Sequence, residues 1–326
     1  MIDLAALNAL AADVSEGRVS ALRLADDKGT VTMVLDVSGM PPGDRDAFEE
    51  RVRAGLIAAP GVAQVRIAMT AEKRGLTIVA VGSGKGGVGK STLAANLAVA
   101  LHRLGRKVGL VDADIYGPSQ PRLFDSEGVR PEAKGAKLIP VANRWGVPML
   151  STGQIAAPGQ AIAWRGPMAG KALEQLVDAE WGDVDLLIVD LPPGTGDVQL
   201  TMIQRHKPAG AVIISTPQDL ALMDATRAIG LFEQADVPII GLVENMAGFV
   251  CPHCGAASDP FGHGGAEAAA GVMGHAFLGR IPLAIDIRTA SDNGTPPAAT
   301  DGALGQPFAD IAARVAAWLD NRQKGG

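Results

Sequence analysis

Cysteine is scarce in this chain. Its 326 residues contain two, both in the stretch Cys251-Pro-His-Cys254-Gly. That excludes a disulfide framework and leaves the question of a paired-thiolate site for metal or redox chemistry. Positive charge is not in excess either: the formal net charge is −6, which argues against the broad basic surface that nucleic acid would need. No uncharged apolar run approaches the roughly 20 residues of a membrane span. MIDLAALNAL lacks the early positive charge and cleavage site of a secretory leader. The composition, 47% hydrophobic and 20% charged, is that of a soluble globular protein. The expectation is a cytoplasmic protein with neither nucleic acid nor membrane as partner. The length allows one large domain, or a large one with a small one beside it.

The hydrophobic rhythm changes along the chain. ALNALAADV predicts a helix, SALRLA and TVTMVLDV predict strands, DAFEERVRAGLIAA restores a helical period, and VAQVRIAMT predicts a last strand. This α-β-β-α-β order implies a small α+β domain over residues 1–72, with the polar stretch AEKRG at 71–75 as connector. Over 73–326 apolar runs alternate with helical segments: LTIVAVGS, KVGLVDAD, VPMLSTG, VDLLIVDLPPG, GAVIISTPQ and PIIGLVENMAG. They are rich in Val, Ile and Leu and hardly alternate, as parallel strands buried on both faces do. Between the first two, STLAANLAVALHRLG sets Leu93, Leu97, Leu101 and Leu104 on one helical face, with Gly105 as a stop. The expected fold class is α/β, with a mostly parallel sheet flanked by helices and preceded by the small α+β domain. Residues 117–147 and 248–275, rich in Gly and Pro, are expected as excursions from the sheet.

The first of these strands leads into GSGKGGVGKST, and Gly84–Ser91 fits the pattern G-x-x-x-x-G-K-[ST] of a P-loop NTPase. Gly84, Lys85, Gly86, Gly87, Val88, Gly89, Lys90, Ser91 and Thr92 are therefore the candidate ATP-binding loop. Its glycines let backbone N–H groups converge on phosphate oxygens, and the helix that follows adds its positive end. Lys90 is expected at the β/γ-phosphates and Ser91 on Mg²⁺. A magnesium site also needs carboxylates, and Asp190 at the end of LLIVD stands where a Walker-B acid belongs. LPPGTGD suggests a switch in which Gly194 offers its N–H to the γ-phosphate and moves when that phosphate leaves. VDADIYGPS supplies Asp112 and Asp114, placed by alternation on one side. Asp114 is favoured for positioning the attacking water, with Asp112 as the alternative. Asn245, at the end of another strand, is a candidate for a purine edge. Lys85 is one lysine more than the pattern asks for.

KGGVGKS with its early lysine resembles the deviant Walker A motif of the family that includes MinD, ParA and the nitrogenase iron protein. The resemblance implies a homodimer in which Lys85 reaches the nucleotide of the other subunit, as a finger in trans. The CPHC spacing lets Cys251 and Cys254 grip one metal. A tetrahedral zinc or a [4Fe–4S] cluster wants four ligands, and a symmetric dimer would supply the missing pair. His253 and His263 are read as bystanders. GSGKGGVGKST, DADIYGPS, VDLPPGTGD and NMAGFVCPHC together resemble the Mrp/ApbC family of iron–sulfur cluster carrier ATPases.

That resemblance implies Mg²⁺-dependent ATP hydrolysis with Lys85, Lys90, Asp114 and Asp190 as catalytic residues. It also implies a [4Fe–4S] cluster held by Cys251 and Cys254 at a homodimer interface. The partners implied are apo iron–sulfur proteins and a cluster-assembly scaffold. It covers the whole chain, because residues 1–72 resemble the domain of unknown function 59 that precedes many such ATPases. They depart from its pattern in having no cysteine near SGMPPG, so a structural or docking role is expected there. Two other readings use the same loop. A positional ATPase of the MinD/ParA type would need a membrane helix, and FADIAARVAAWLDNRQ carries Phe308, Ile311, Val315 and Leu319 on one face; a helix covering a sheet has the same pattern. A zinc-stapled, nucleotide-gated scaffold would use the cysteines alone. The CPHC pair, for which positional ATPases have no use, favours the carrier.

Overall fold

The computed structural model describes residues 3–25, 29–38, 40, 42–70, 76–155 and 167–324. The connector AEKRG lies outside the described residues. The chain divides into two compact units, Met1–Gly75 and Leu76–Gly326.

In the first unit, α1 (Leu4–Val14) begins at Asp3, whose carboxylate accepts from the N–H groups of Ala5 and Ala6. There follow β1 (Val19–Leu24), β2 (Thr30–Asp36), α2 (Pro42–Ile57) and β3 (Gln64–Thr70), the α-β-β-α-β order expected. β1 runs antiparallel to the central β2, and β3 runs parallel to it. A parallel pair needs a crossover, which α2 supplies. Val31, Met33 and Leu35, alternate residues of β2, are buried with Leu7 and Ala11 of α1 and Phe48, Val52 and Leu56 of α2.

The second unit runs β4 (Thr77–Gly82), α3 (Lys90–Arg103), β5 (Val108–Asp112), α4 (Gln120–Leu123), β6 (Glu132–Lys134), β7 (Lys137–Ile139), β8 (Met149–Ser151) and α5 (Thr152–Ile155). It continues with α6 (Pro167–Val177), β9 (Leu186–Asp190), α7 (Asp197–Thr201), a π turn over Met202–His206, β10 (Gly210–Ser215), α8 (Asp219–Glu233) and β11 (Ile239–Val250). The last elements are β12 (Ala257–Ser258), α9 (Gly265–Met273), β13 (Phe277–Leu283), α10 (Ile285–Asp292) and α11 (Gln306–Lys324).

These strands build an eight-stranded sheet in the order β8-β5-β9-β4-β10-β11, with β13 and β12 both paired to β11 and β12 alone antiparallel. Alternate residues of β4 feed opposite cores. Val79 and Val81 pack with Leu93, Leu97 and Leu101 of α3 and with α11, while Ile78 and Ala80 pack with Leu173 and Leu176 of α6 and Ile229 and Phe232 of α8. Helices thus cover both faces, which is why the strands read as unbroken apolar runs. Phe308, Ile311, Val315 and Leu319 of α11 are buried in the first core, so that face is occupied by the sheet. Among the described residues no helix is long and apolar enough to cross a membrane.

Two expectations are corrected, and one strand is added. Leu104 does not share the buried face of α3: it caps the helix and is exposed, because the chain turns away at Gly105 with φ +88°. Residues 248–275 are not all an excursion, since β11 continues to Val250, β12 pairs back on it, and α9 follows. Finally, β13 adds a strand that FLGRIPL conceals. Its Gly279 and Pro282 break the apolar run, which a strand at the sheet's edge tolerates. Residues 117–147 stay mostly off the main sheet, as the short α4 and the separate β6–β7 hairpin, and touch it through a single antiparallel bridge from Val141 to Met149 of β8.

Candidate functional site

The parallel sheet brings the carboxyl ends of β4, β5 and β9, and Asn245 in the middle of β11, to one edge, where α/β folds of this kind bind ligands. The glycine loop leaves β4 there and is clamped from two sides. A Cβ on Gly84 would lie 2.0 Å from the Asp224 carbonyl carbon in α8, and one on Gly89 would lie 2.1 Å from Asn245 Nδ2. Asn245 in turn donates to the Val88 carbonyl at 2.8 Å. Gly87 and Gly89 sit at φ +79° and +90°, the left-handed backbone that favours glycine. The loop bounds a pocket of about 220 Å³ whose walls include Lys85, Gly86, Lys90, Ser91, Asp114 and Pro193. A second pocket of about 340 Å³ shares Gly87, Gly89 and Thr92 and runs past Asn245 and Met246 to Pro282 and Leu283.

Behind the loop is a buried cluster of charge. Lys90 Nζ lies 2.5 Å from Asp190 Oδ1 and 3.6 Å from Asp114 Oδ2. Burial opposes the Lys90 charge, but Asp190 and then Asp114 and Asp112 outweigh it and hold its pKa above the ordinary value. Asp112 is wholly buried. Its Oδ2 accepts from Gln120 N at 3.0 Å and Ser151 Oγ at 2.9 Å, and its Oδ1 from Asp114 N at 3.2 Å. Burial first, and the Asp190 charge second, nevertheless push its pKa up to about 7. Asp114 lies beyond the end of β5, lines the phosphate pocket and accepts from Tyr116 N and Gly117 N. Gln120 Nε2 donates to Asp190 Oδ2 at 2.8 Å and to the Ser91 carbonyl at 3.0 Å.

Three carboxylates therefore face one ammonium group, and Asp112, buried beside Asp190, holds its proton more tightly than an ordinary carboxyl does. This donor set fits Mg²⁺, a hard cation that takes oxygen ligands and is usually bound by one or two carboxylates plus phosphates. Asp190 and the Ser91 hydroxyl would hold it.

The segment after β9 is tied to the loop. Gly194, at φ +87°, donates its N–H to the Ser83 carbonyl at 2.9 Å, and Gln199 Nε2 donates to the Gly194 carbonyl at 3.0 Å. The N–H expected to meet a γ-phosphate is thus engaged with the loop itself. Lys85 is half-buried at the pocket wall, and among the described residues it has no ion-pair partner.

The cysteines stand at the far end of β11. After Asn245 the strand bends at Met246 (φ +59°) and Gly248 (φ +79°), runs to Val250 and returns on β12. Cys251 N donates to the Ala256 carbonyl and Gly255 N to the Cys251 carbonyl, which closes the CPHC turn. The N–H groups of His253 and Cys254, and then the Cys254 thiol, hold the Cys251 pKa below its ordinary value. Cys254 is exposed. The returning chain is anchored by the buried Glu244, whose carboxylate accepts from Gly264 N at 3.1 Å, Ala266 N at 2.8 Å and Arg280 Nε at 3.1 Å. His263 lies 3.7 Å from Asp259. Among the described residues no group of three or more His, Cys, Asp or Glu is placed to hold a metal ion, so one chain offers the CPHC site two thiols.

Sequence reasoning missed Gln120, Ser151, Glu244 and the Pro282–Leu283 wall. Gln120 had a signal: a polar residue directly after DADIYGPS. Ser151 ends β8 and Glu244 lies mid-way along β11, and motif spacing carries no information about either.

A glycine loop between a parallel strand and a helix, with a buried acid at the end of the neighbouring strand, defines a P-loop NTPase. A family model described as ParA, NUBPL iron-transfer P-loop NTPase, matches residues 76–316, and the chain belongs to that family. An iron–sulfur cluster carrier protein of Pseudomonas fragi is 47% identical over 77% of this chain and 88% of its own. Another, of Deinococcus radiodurans, is 43% identical over 87% and 83%. The iron–sulfur cluster transfer protein NUBPL of Dictyostelium discoideum is 41% identical over 85% and 87%. The Mrp/ApbC resemblance read from the motifs therefore holds. Among solved structures, the nucleotide-binding protein of Archaeoglobus fulgidus in complex with ADP is 40% identical, with a TM-score of 0.59 over 67% of this chain and 86% of that one. MinD of Pyrococcus furiosus, 22% identical with a TM-score of 0.55 over 74% and 99%, shares the fold.

Proposed function

We propose that this chain is an ATP-hydrolysing carrier that, as a homodimer, holds a [4Fe–4S] cluster on Cys251 and Cys254 of both copies and passes it to apo-proteins. The observation that carries the reading is the CPHC turn at the tip of the β11–β12 hairpin. It presents two thiols, one exposed, on the strand whose Asn245 bonds to the phosphate loop. Two thiolates are half of a cluster's set, and a two-fold axis supplies the other half. The names of the relatives as cluster carriers support the same conclusion.

In this reading Lys90 binds the β/γ-phosphates, Ser91 and Asp190 hold Mg²⁺, and Asn245 borders the base. Mg²⁺ supplies charge neutralisation at the phosphates when bound. Asp114, at the pocket wall, orients the attacking water, with Asp112 behind it. Gly194 releases Ser83 and turns to the γ-phosphate, while Lys85 reaches the partner's nucleotide. Residues 1–72 serve as a docking domain for the cluster-assembly scaffold or for recipients, residues 73–326 as the ATPase, and the setting is the cytoplasm.

Anaerobic reconstitution followed by iron and sulfide assay tests the cargo. About four irons per dimer are expected, from the ligand count of a [4Fe–4S] cluster. Cys251→Ser and Cys254→Ser should each abolish the cluster and leave nucleotide binding intact. Stoichiometric zinc that iron and sulfide cannot displace, with no transfer to an apo-acceptor, would overturn the carrier and favour the zinc-stapled scaffold.

A further inference from the structure

We infer that Gln120 is a positioning residue for the magnesium site, an assignment that rests on the Mg²⁺–nucleotide reading above and is independent of cluster carriage. Gln120 opens α4 and is wholly buried. A buried amide is costly unless it is bonded, so its contacts indicate what it is for. Nε2 donates to Asp190 Oδ2 at 2.8 Å and to the Ser91 carbonyl at 3.0 Å, and its backbone N–H donates to Asp112 Oδ2 at 3.0 Å. One residue thus touches the Walker-B carboxylate, the loop residue whose hydroxyl would ligate the metal, and the second buried acid.

The chemistry of the contacts narrows the role. Asp190 is held at both oxygens, by Lys90 on Oδ1 and by Gln120 on Oδ2, so its carboxylate is fixed in rotation. Phosphates that draw Lys90 toward themselves free Oδ1 for the cation, while Gln120 keeps its grip on Oδ2. A neutral donor does this without competing with the cation, as a lysine in its place would. Both acceptors are oxygens that only accept, which fixes the amide orientation and leaves Oε1 as the free end. Oε1 is buried and has no protein partner. Mg²⁺ usually keeps several waters, and one of them would give this oxygen the donor it lacks.

Binding of a fluorescent ADP analogue to the full-length protein, titrated with Mg²⁺ and repeated in EDTA, tests the assignment. Gln120→Met keeps the volume and removes the amide. It should match the unsubstituted protein in EDTA and need about ten- to a hundred-fold more Mg²⁺ for half-saturation, the usual cost of losing a residue that orients a metal ligand. Gln120→Leu, which removes both ends of the amide, should show the same loss and is read in its place if Gln120→Met does not fold. An unchanged Mg²⁺ requirement in the folded variant overturns the assignment. So does an equal loss with and without Mg²⁺, because Gln120 would then only pack the loop. Mg²⁺-independent binding in the unsubstituted protein is a different failure: it removes the magnesium reading itself, and the assignment with it.

Discussion

Asp112 carries its charge against two opponents, its own complete burial and the Asp190 carboxylate, and its pKa stands at about 7 against an ordinary 3.8. Between about pH 4 and pH 7 the folded nucleotide-free protein therefore keeps a proton that the unfolded chain has released. The stability this gives is fully present below the ordinary value and is lost as pH rises through about 7. Urea unfolding in EDTA at a series of pH values should show that decline, and Asp112→Asn should flatten it. A slope equal in both proteins would mean that another group titrates. Mg²⁺ favours the ionised acids, so its addition should reduce the decline. Sequence reasoning found both acids of DAD and favoured Asp114 for the water, but alternation put them on one side and said nothing of their burial. Which one is buried and which lines the pocket depends on β5 ending at Asp112, and on Gln120 and Ser151 closing over it.

The phosphate loop shows the same limit at the level of elements. Its motif was plain in the sequence, but the motif does not say what each glycine touches. Gly84 faces the backbone of α8, with a Cβ placed 2.0 Å from Asp224 C and 2.4 Å from Ala225 N, whereas the nearest atom to a Cβ on Gly86 is Pro193 Cγ at 3.9 Å. Backbone cannot step aside as a side chain can. Gly84→Ala should cost about 1–3 kcal/mol of stability, the usual range for overpacking, and weaken nucleotide binding. Gly86→Ala should stay within about 0.5 kcal/mol of the unsubstituted protein. Urea unfolding and binding of the fluorescent ADP analogue measure both; equal effects at the two positions would contradict the clamp. The main strands were legible because burial on both faces leaves unbroken runs such as LLIVD. β13 was not, since an edge strand can carry Gly279 and Pro282. Nor was the anchoring of the CPHC return by Glu244, which joins residues 20 and 22 positions apart through a single carboxylate.

At the scale of the whole molecule, Lys85 bears on whether one chain makes a complete site. Lys85 stands at the phosphate pocket and, among the described residues, pairs with no acid of its own chain, whereas Lys90 is committed to Asp190 and Asp114. Lys90→Ala should abolish nucleotide binding, and Lys85→Ala should retain it while hydrolysing poorly. Mixing the two inactive variants separates action in cis from action in trans. In a hybrid dimer the Lys85→Ala chain binds nucleotide through its own Lys90 and receives Lys85 from its neighbour. Random pairing of equal amounts makes half the dimers hybrid, each with one competent site, so the recovered hydrolysis should reach roughly a quarter of normal for a symmetric two-site dimer. If Lys85 serves its own chain, neither half of the hybrid is competent. Differently tagged copies that purify together and remain inactive would therefore place Lys85 in cis, and the second lysine of the loop would lose its role across the dimer.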